Sequence, residues 1–321
     1  MVVAGDNGHV DVGHVPVLAG QMLAFLDPQA HQVCLDCTAG RGGHASLIVP
    51  LLSPGGRYIG LDADADNVDF CRQHLANLAS PDVAIDVVHT SFTNARRVLD
   101  DMGVDAADLL LADLGFSSNQ VQDGARGFSF QAAGPLDMRF DRTHGPTAGE
   151  LVNTLEEQEL ADLIYQYGQD RFSRKIARNI VEKRQQSPIN DTLRLSQIVW
   201  QAYGRKTNPQ GRRGRWRIDP ATRTFMALRI AVNDELQALS RLLEQMPRLL
   251  RRGGVAAVIS FHSLEDRQVK QAFVQCDKQG QARRLNRKVV TADEDERRAN
   301  PRSRSAKLRA IRWSTSGSLD Q

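Results

Sequence analysis

The feature that most constrains the fold of this chain is a rhythm in its first third. Short apolar runs at 32–36, 58–62, 85–89 and 109–113 each stop at a polar residue, which is aspartate in three of the four. Stretches of helical character, such as 66–79, lie between them. Continuous apolar runs that alternate with helices are the pattern of parallel β-α units, whose strands are buried on both faces. The first 115 residues are therefore expected to form an α/β sheet.

From about Val121 to Trp216 the rhythm stops. Segments 157–167, 171–185 and 193–203 read as helices, separated by Gly168, Ser187-Pro188 and Gly204. The alternation resumes at Asp219-Pro220, an N-cap acid followed by proline in the first helical position. Phe225, Leu228, Val232, Leu236, Leu239 and Leu243 follow at spacings of three and four, which predicts one long amphipathic helix. Gly253-Gly254 would close it, 255–260 reads as a buried strand and 308–313 as a last one. The polar stretch 292–305 reads as a loop. The expected organisation is an α/β part over 1–120, a helical insertion over 121–216 and a second α/β part over 217–321.

Chemistry is expected where the strands end. The first strand runs into Asp36-Cys37-Thr38-Ala39-Gly40-Arg41-Gly42-Gly43-His44. Small residues at a strand-to-helix turn let backbone approach a ligand, and the helix start offers unbonded N–H groups. Asp62 ends the second strand, where a carboxylate can accept from both hydroxyls of a ribose. His89-Thr90-Ser91-Phe92 follows the third strand and could flank an adenine ring. Asp113-Leu114-Gly115-Phe116 ends the fourth, where amino-methylating enzymes place an acid or amide and then an aromatic residue. These features point to an adenosine ligand. Because Gly40, Gly42 and Ala45 also fit G-x-G-x-x-A, a dinucleotide-dependent oxidoreductase stays open at this point.

The later motifs narrow the reading. His14-Val15-Pro16-Val17-Leu18, Arg126-Gly127-Phe128-Ser129-Phe130, Pro135-Leu136-Asp137-Met138-Arg139, Pro220-Ala221-Thr222-Arg223-Thr224-Phe225, Ser260-Phe261-His262-Ser263-Leu264-Glu265-Asp266-Arg267 and Arg304-Ser305-Ala306-Lys307-Leu308-Arg309 occur in order. Together they closely resemble the RsmH (MraW) family across residues 14–313. Phe140 stands where that family commonly has methionine. The resemblance implies a Rossmann-like, S-adenosylmethionine-dependent methyltransferase core with an inserted helical domain for substrate recognition. It implies transfer of a methyl group to the exocyclic N4 of a cytidine in the decoding centre of 16S ribosomal RNA, with the small ribosomal subunit as partner. The cofactor residues it implies are Gly42, Gly43, His44, Asp62, Phe92, Asp113 and Gln120. Asp113 is also the candidate catalytic proton acceptor. A fold kept only for RNA binding in ribosome assembly is the non-catalytic alternative.

A net charge of +3 says little, but its distribution says more. Residues 205–217 carry Arg205, Lys206, Arg212, Arg213, Arg215 and Arg217 with no acid. Arg297, Arg298, Arg302, Arg304, Lys307, Arg309 and Arg312 form a second basic run. Two such clusters suggest a polyanionic partner; Trp200, Trp216 and Trp313 could stack on bases, and Trp216 alone lies inside a basic run. Cys34 and Cys37 have no second pair to complete a zinc site and are expected to be buried fillers. Without a leader-like start or an 18-residue apolar run, the expectation is a cytoplasmic protein with no membrane span and no metal. His262 beside Ser263 and Glu265 lacks a nucleophile elbow, so it is expected to be structural or to contact RNA. Asp137 and Glu265 are expected to pair with Arg139 and Arg267.

Overall fold

The computed structural model describes residues 16–78, 80–204 and 219–314. His14, Val15, the basic run 205–217 and Trp216 lie outside the described residues. No described helix is long and apolar enough to cross a membrane. The chain packs into two compact units, one formed by residues up to 62, 66–114 and 245 onward, the other by 63–65 and 115–244.

In the first unit, α1 (Ala19–Leu26) precedes β1 (Val33–Asp36), α2 (Ala45–Ile48), β2 (Arg57–Asp62), α3 (Ala65–Ala76), β3 (Ala84–His89), α4 (Ala95–Asp101) and β4 (Ala107–Asp113). After the helical unit come β5 (Leu250–Ser260), α12 (Ser263–Lys278), β6 (Ala282–Arg284), α13 (Glu294–Ala299) and β7 (Lys307–Trp313). The seven strands run in the order β3-β2-β1-β4-β5-β7-β6. All pairs from β3 to β5 are parallel, and β7 is antiparallel to both β5 and β6. This is the expected α/β class. Strand order reverses between β1 and β4, the switch point beyond whose carboxyl ends open α/β sheets bind ligands. The core joins Met22 and Leu26 of α1, Cys34 of β1, Leu109 and Leu111 of β4 and Val255, Ala257 and Ile259 of β5. Cys34, inside this core, and the buried Cys37 are free thiols, and burial pushes both well up, so they act as apolar filler.

The second unit contains α5 (Ser118–Gln122), α6 (Ala148–Thr154), α7 (Glu157–Gly168), α8 (Ser173–Arg184), α9 (Thr192–Ala202), α10 (Ala221–Val232) and most of α11 (Glu235–Leu249). Leu160 and Ile164 of α7, Ile176 and Ile180 of α8, Leu195 and Val199 of α9, and Phe225 and Leu228 of α10 make its core.

Four local expectations need correction. The helix read across 225–243 is two helices, because Asp234 takes a left-handed φ of 50° between α10 and α11. Gly253-Gly254 lies inside β5, where pairing with β4 shifts register and a Cβ on Gly254 would come within 2.9 Å of the Asp108 carbonyl. The glycines make a bulge rather than a stop. Residues 292–305 hold α13 and a 3₁₀ turn, started by the side chains of Asp293 and Asn300. Trp200 is buried and donates to Asp219 at 2.9 Å, and Trp313 is buried in β7, so neither offers a face to a base.

Candidate functional site

The carboxyl ends of β1, β2 and β4 gather the polar residues of the first unit. Gly60 lets the ends of β1 and β2 come together, since a Cβ there would sit 3.0 Å from the Ala39 methyl. The turn after β1 carries Gly40 at φ 53° and Gly42 at φ 85°, both costly for a residue with a side chain. Gly42 also abuts α3, where an added Cβ would lie 3.2 Å from Cys71 Sγ. Asp62 fastens the turn from β2: its Oδ2 accepts the Gly40 N–H at 2.8 Å, and its Oδ1 lies 3.4 Å from the donating Asn67 amide. Phe92 opens a 3₁₀ turn beyond β3, on the Asp62 side of the sheet, and is half-buried.

His44 begins α2 and turns its ring toward β4. Its Nε2 is 3.3 Å from Asp113 Oδ2. Burial opposes the imidazolium, but the Asp113 carboxylate and then Asp36 outweigh it, so the His44 pKa is raised. Asp113 is one quarter exposed, and its backbone N–H donates to Thr38 Oγ1 at 2.6 Å. Among the described residues, Asp113 Oδ1 and both ring nitrogens of His44 are buried without a hydrogen-bond partner. Behind them Asp36 is fully enclosed. It accepts from Tyr58 OH at 2.8 Å and from the Thr38 N–H at 3.0 Å, and burial raises its pKa despite those donors.

Asp36, Tyr58 and Thr38 were not singled out from the sequence. An aspartate at a strand end was a usable signal for the first, but nothing marked its partners. Gly42, Gly43, His44, Asp62 and Asp113 are brought together around one sheet edge, with Phe92 one strand further out.

Gln120 belongs to the second unit. Its Nε2 donates to Asp64 Oδ2 at 2.7 Å and its Oε1 accepts the Ser117 N–H at 2.9 Å. Arg126 meets the same Asp64 oxygen at 2.7 Å, and both side chains of that pair are about 3% exposed. The second Arg126 terminal nitrogen donates to the Arg139 and Phe140 carbonyls. The motif segments at 126–130 and 135–140 thus share one scaffold. Gly127 is required there, because a Cβ would run into the Pro135 carbonyl. The scaffold stacks Phe116, Phe128 and Phe140 with centroids 5.9 and 5.7 Å apart. Phe116 is 44% exposed, with the Arg229 guanidinium 4.6 Å from its ring centre.

Asp137 pairs with Arg139 at 2.7 Å, as expected. Glu265 instead accepts the Phe261 and His262 N–H groups, while His262 Nδ1 caps α12 by accepting the Glu265 N–H. His262 is therefore a helix-start device. The second basic run is not one free surface: Arg309 is 92% buried against Asp266 at 2.7 Å, and Arg298 pairs within α13.

The model of the MraW methylase family matches residues 11–314. A ribosomal RNA small subunit methyltransferase H from Sorangium cellulosum is 48% identical over 93% of this chain and 90% of its own length. The enzyme of that name from Geotalea uraniireducens is 42% identical over 94% and 98%. A third, from Synechococcus, is 47% identical over 93% and 97%.

Proposed function

The chain belongs to the MraW methylase family, and we propose that it methylates the exocyclic N4 of a cytidine in the decoding centre of 16S ribosomal RNA. S-adenosylmethionine supplies the methyl group from a sulfonium centre, its carbon–sulfur bond breaking as the bond to nitrogen forms. The residues fit that donor. Two left-handed glycines open the turn after β1, and buried polar atoms of Asp113 and His44 face it without a protein partner. We assign the turn Gly42-Gly43-His44, Asp62, Phe92, Asp113 and Gln120 to the cofactor. Asp62, whose carboxylate fastens the turn through Gly40, is assigned to the ribose hydroxyls. Gln120 keeps one amide hydrogen and one oxygen lone pair beyond its bonds to Asp64 and Ser117.

The observation that carries the catalytic reading is Asp113 Oδ1, buried and unpartnered at the switch point of the sheet. A cytosine amine is a weak nucleophile because its lone pair is delocalised into the ring. It must lose a proton during or after attack, and Asp113 Oδ1 is the acceptor. The base must leave its stack to reach a strand-end site. Mass mapping of 16S RNA from cells lacking this protein tests the target. One cytidine should lose a methyl group and regain it on complementation with the wild type but not with Asp113→Asn. A methyl missing from another base would overturn the N4-cytidine assignment.

Two further outcomes are expected. Asp62→Ala removes a charged acceptor from both the turn and the ribose. Hydrogen bonds to charged groups contribute roughly 1.5–3 kcal/mol each, so calorimetry should show affinity for S-adenosylmethionine falling about tenfold or more. An unchanged affinity would take Asp62 out of the site. For RNA, the acid-free run at 205–217 is assigned to phosphate contacts on its composition. Changing Arg212, Arg213 and Arg215 to Ala should flatten the salt dependence of RNA binding by roughly 0.7–0.9 in log–log slope per lost contact. Cofactor affinity should stay the same. A slope equal to the wild type's would mean that the run does not touch phosphate.

A further inference from the structure

We propose that the helical unit carries a surface, built from none of the cofactor residues, that binds RNA. Arg171, Arg174, Lys175 and Arg223 hold backbone phosphates there, and Tyr165 stacks on an unpaired base. The inference rests on ribosomal RNA as the substrate, and it adds a contact surface that the transfer chemistry does not use.

Four cations converge at one end of the unit. Arg171, Arg174 and Lys175 are exposed. The latter two fall in the first turn of α8, on the side away from the buried Ile176, Ala177 and Ile180. Arg223 of α10 joins them: it is exposed, and its guanidinium donates to the Gln169 carbonyl at 3.2 Å, two residues before Arg171. The Arg171 guanidinium lies 5.0 Å from the Phe172 ring centre, and Phe172 packs on Tyr203 with ring centres 4.4 Å apart. Arg223 and then Arg171 oppose the rise in the Tyr203 pKa that burial and Asp170 cause, so both cations bear on that hydroxyl.

Arg174 and Lys175 do not serve the fold. α8 has no acid in its first turn, and cations there oppose the helix dipole. Among the described residues no ion pair holds either of them, whereas Arg178, a turn further on, meets Glu157 at 3.7 Å. Asp170, beneath the patch, is fully buried and accepts from the Tyr203 hydroxyl and the Phe172 N–H. The exposed acids of α7, Glu157, Glu159 and Asp162, lie before Tyr165 in that helix, and Glu182 comes near the far end of α8. A group of cations without compensating acids is the footprint of a polyanion. Tyr165 selects among polyanions. It is 62% exposed on the last turn of α7, and its carbonyl accepts the Gln169 N–H at 2.9 Å. An exposed aromatic ring beside phosphate-binding cations suits a strand with unpaired bases rather than an acidic protein.

Fluorescence anisotropy of a labelled 16S RNA fragment spanning the decoding centre, titrated with the full-length protein over a series of salt concentrations, tests this. Arg174→Gln combined with Lys175→Gln should weaken binding and flatten the log–log salt slope by roughly 0.7–0.9 per lost contact. Arg174→Lys should keep the wild-type slope, since a phosphate contact needs the charge. Tyr165→Leu should lower affinity roughly 5–100-fold at one salt concentration while leaving the slope as it was. Calorimetry with S-adenosylmethionine should give the wild-type affinity for every variant, which marks each as folded. A double variant with the wild-type slope overturns the proposal. So does one that binds the RNA fragment normally but loses intact small subunits, because the patch would then meet a ribosomal protein. An unchanged affinity for Tyr165→Leu overturns the stacking contact. The premise fails separately: if the wild type binds the fragment with a slope that the double variant flattens, yet methylates neither it nor small subunits, the assigned reaction falls and the patch stands.

Discussion

Asp113→Asn is expected to lower the single-turnover methylation rate by about 10²–10⁴, the range typical of general-base assistance. Affinity for S-adenosylmethionine should remain within a few fold. Asparagine matches aspartate in shape and keeps an oxygen, so the chain end of β4 and the Thr38 contact should persist. What it loses is the capacity to take a proton at Oδ1. The measurement is methyl transfer to small-subunit RNA with enzyme in excess and cofactor saturating, beside calorimetry of the same variant. Loss of affinity with an intact saturated rate would make Asp113 a binding residue and leave the proton to another group.

The second large effect is on stability. Arg126→Met should reduce the unfolding free energy of the helical unit by about 3–5 kcal/mol, the cost of leaving one member of a buried ion pair alone. Arg126 and Asp64 are each about 3% exposed and 2.7 Å apart, so neither charge can turn to water instead. Methionine fills much of the same volume but also abandons the Arg139 and Phe140 carbonyls. Pairing Arg126→Met with Asp64→Leu should cost less than the sum of the single changes, because an apolar pair leaves no buried charge. Urea unfolding followed by circular dichroism measures this, and a loss below about 1 kcal/mol for Arg126→Met would show the pair to be solvated.

The sheet was largely legible in the sequence because a buried parallel strand must be an unbroken apolar run. β1 to β4 and β7 start or end within two residues of their expected limits. The first five residues of β5 were hidden because a glycine pair reads as a stop, although here it makes a bulge. The break at Asn233-Asp234 was hidden because apolar spacing continues from Val232 to Leu236 across it. That periodicity marks a buried face but not the core it joins, so the allegiance of α10 to α7 could not be read. Gly42, Asp62 and Asp113 stood out in the site because they end strands. The close approach of His44 to Asp113, the bond from Tyr58 to Asp36 and the pairing of Arg126 with Asp64 join residues far apart in the chain. No local pattern records such pairs.

Strand order also has a consequence during synthesis on the ribosome. β4 is almost wholly buried, with the apolar run Leu109-Leu110-Leu111-Ala112 at its centre, and pairs with β1 on one side, but its other neighbour, β5, follows only after the helical unit. At about 5–20 residues per second, β4 waits roughly seven to thirty seconds with one edge unpaired. β7, which must slot between β5 and β6, arrives later still. The nascent chain thus carries a sticky, half-built sheet for much of its synthesis, and newly made protein should depend on holding chaperones more than its finished stability suggests.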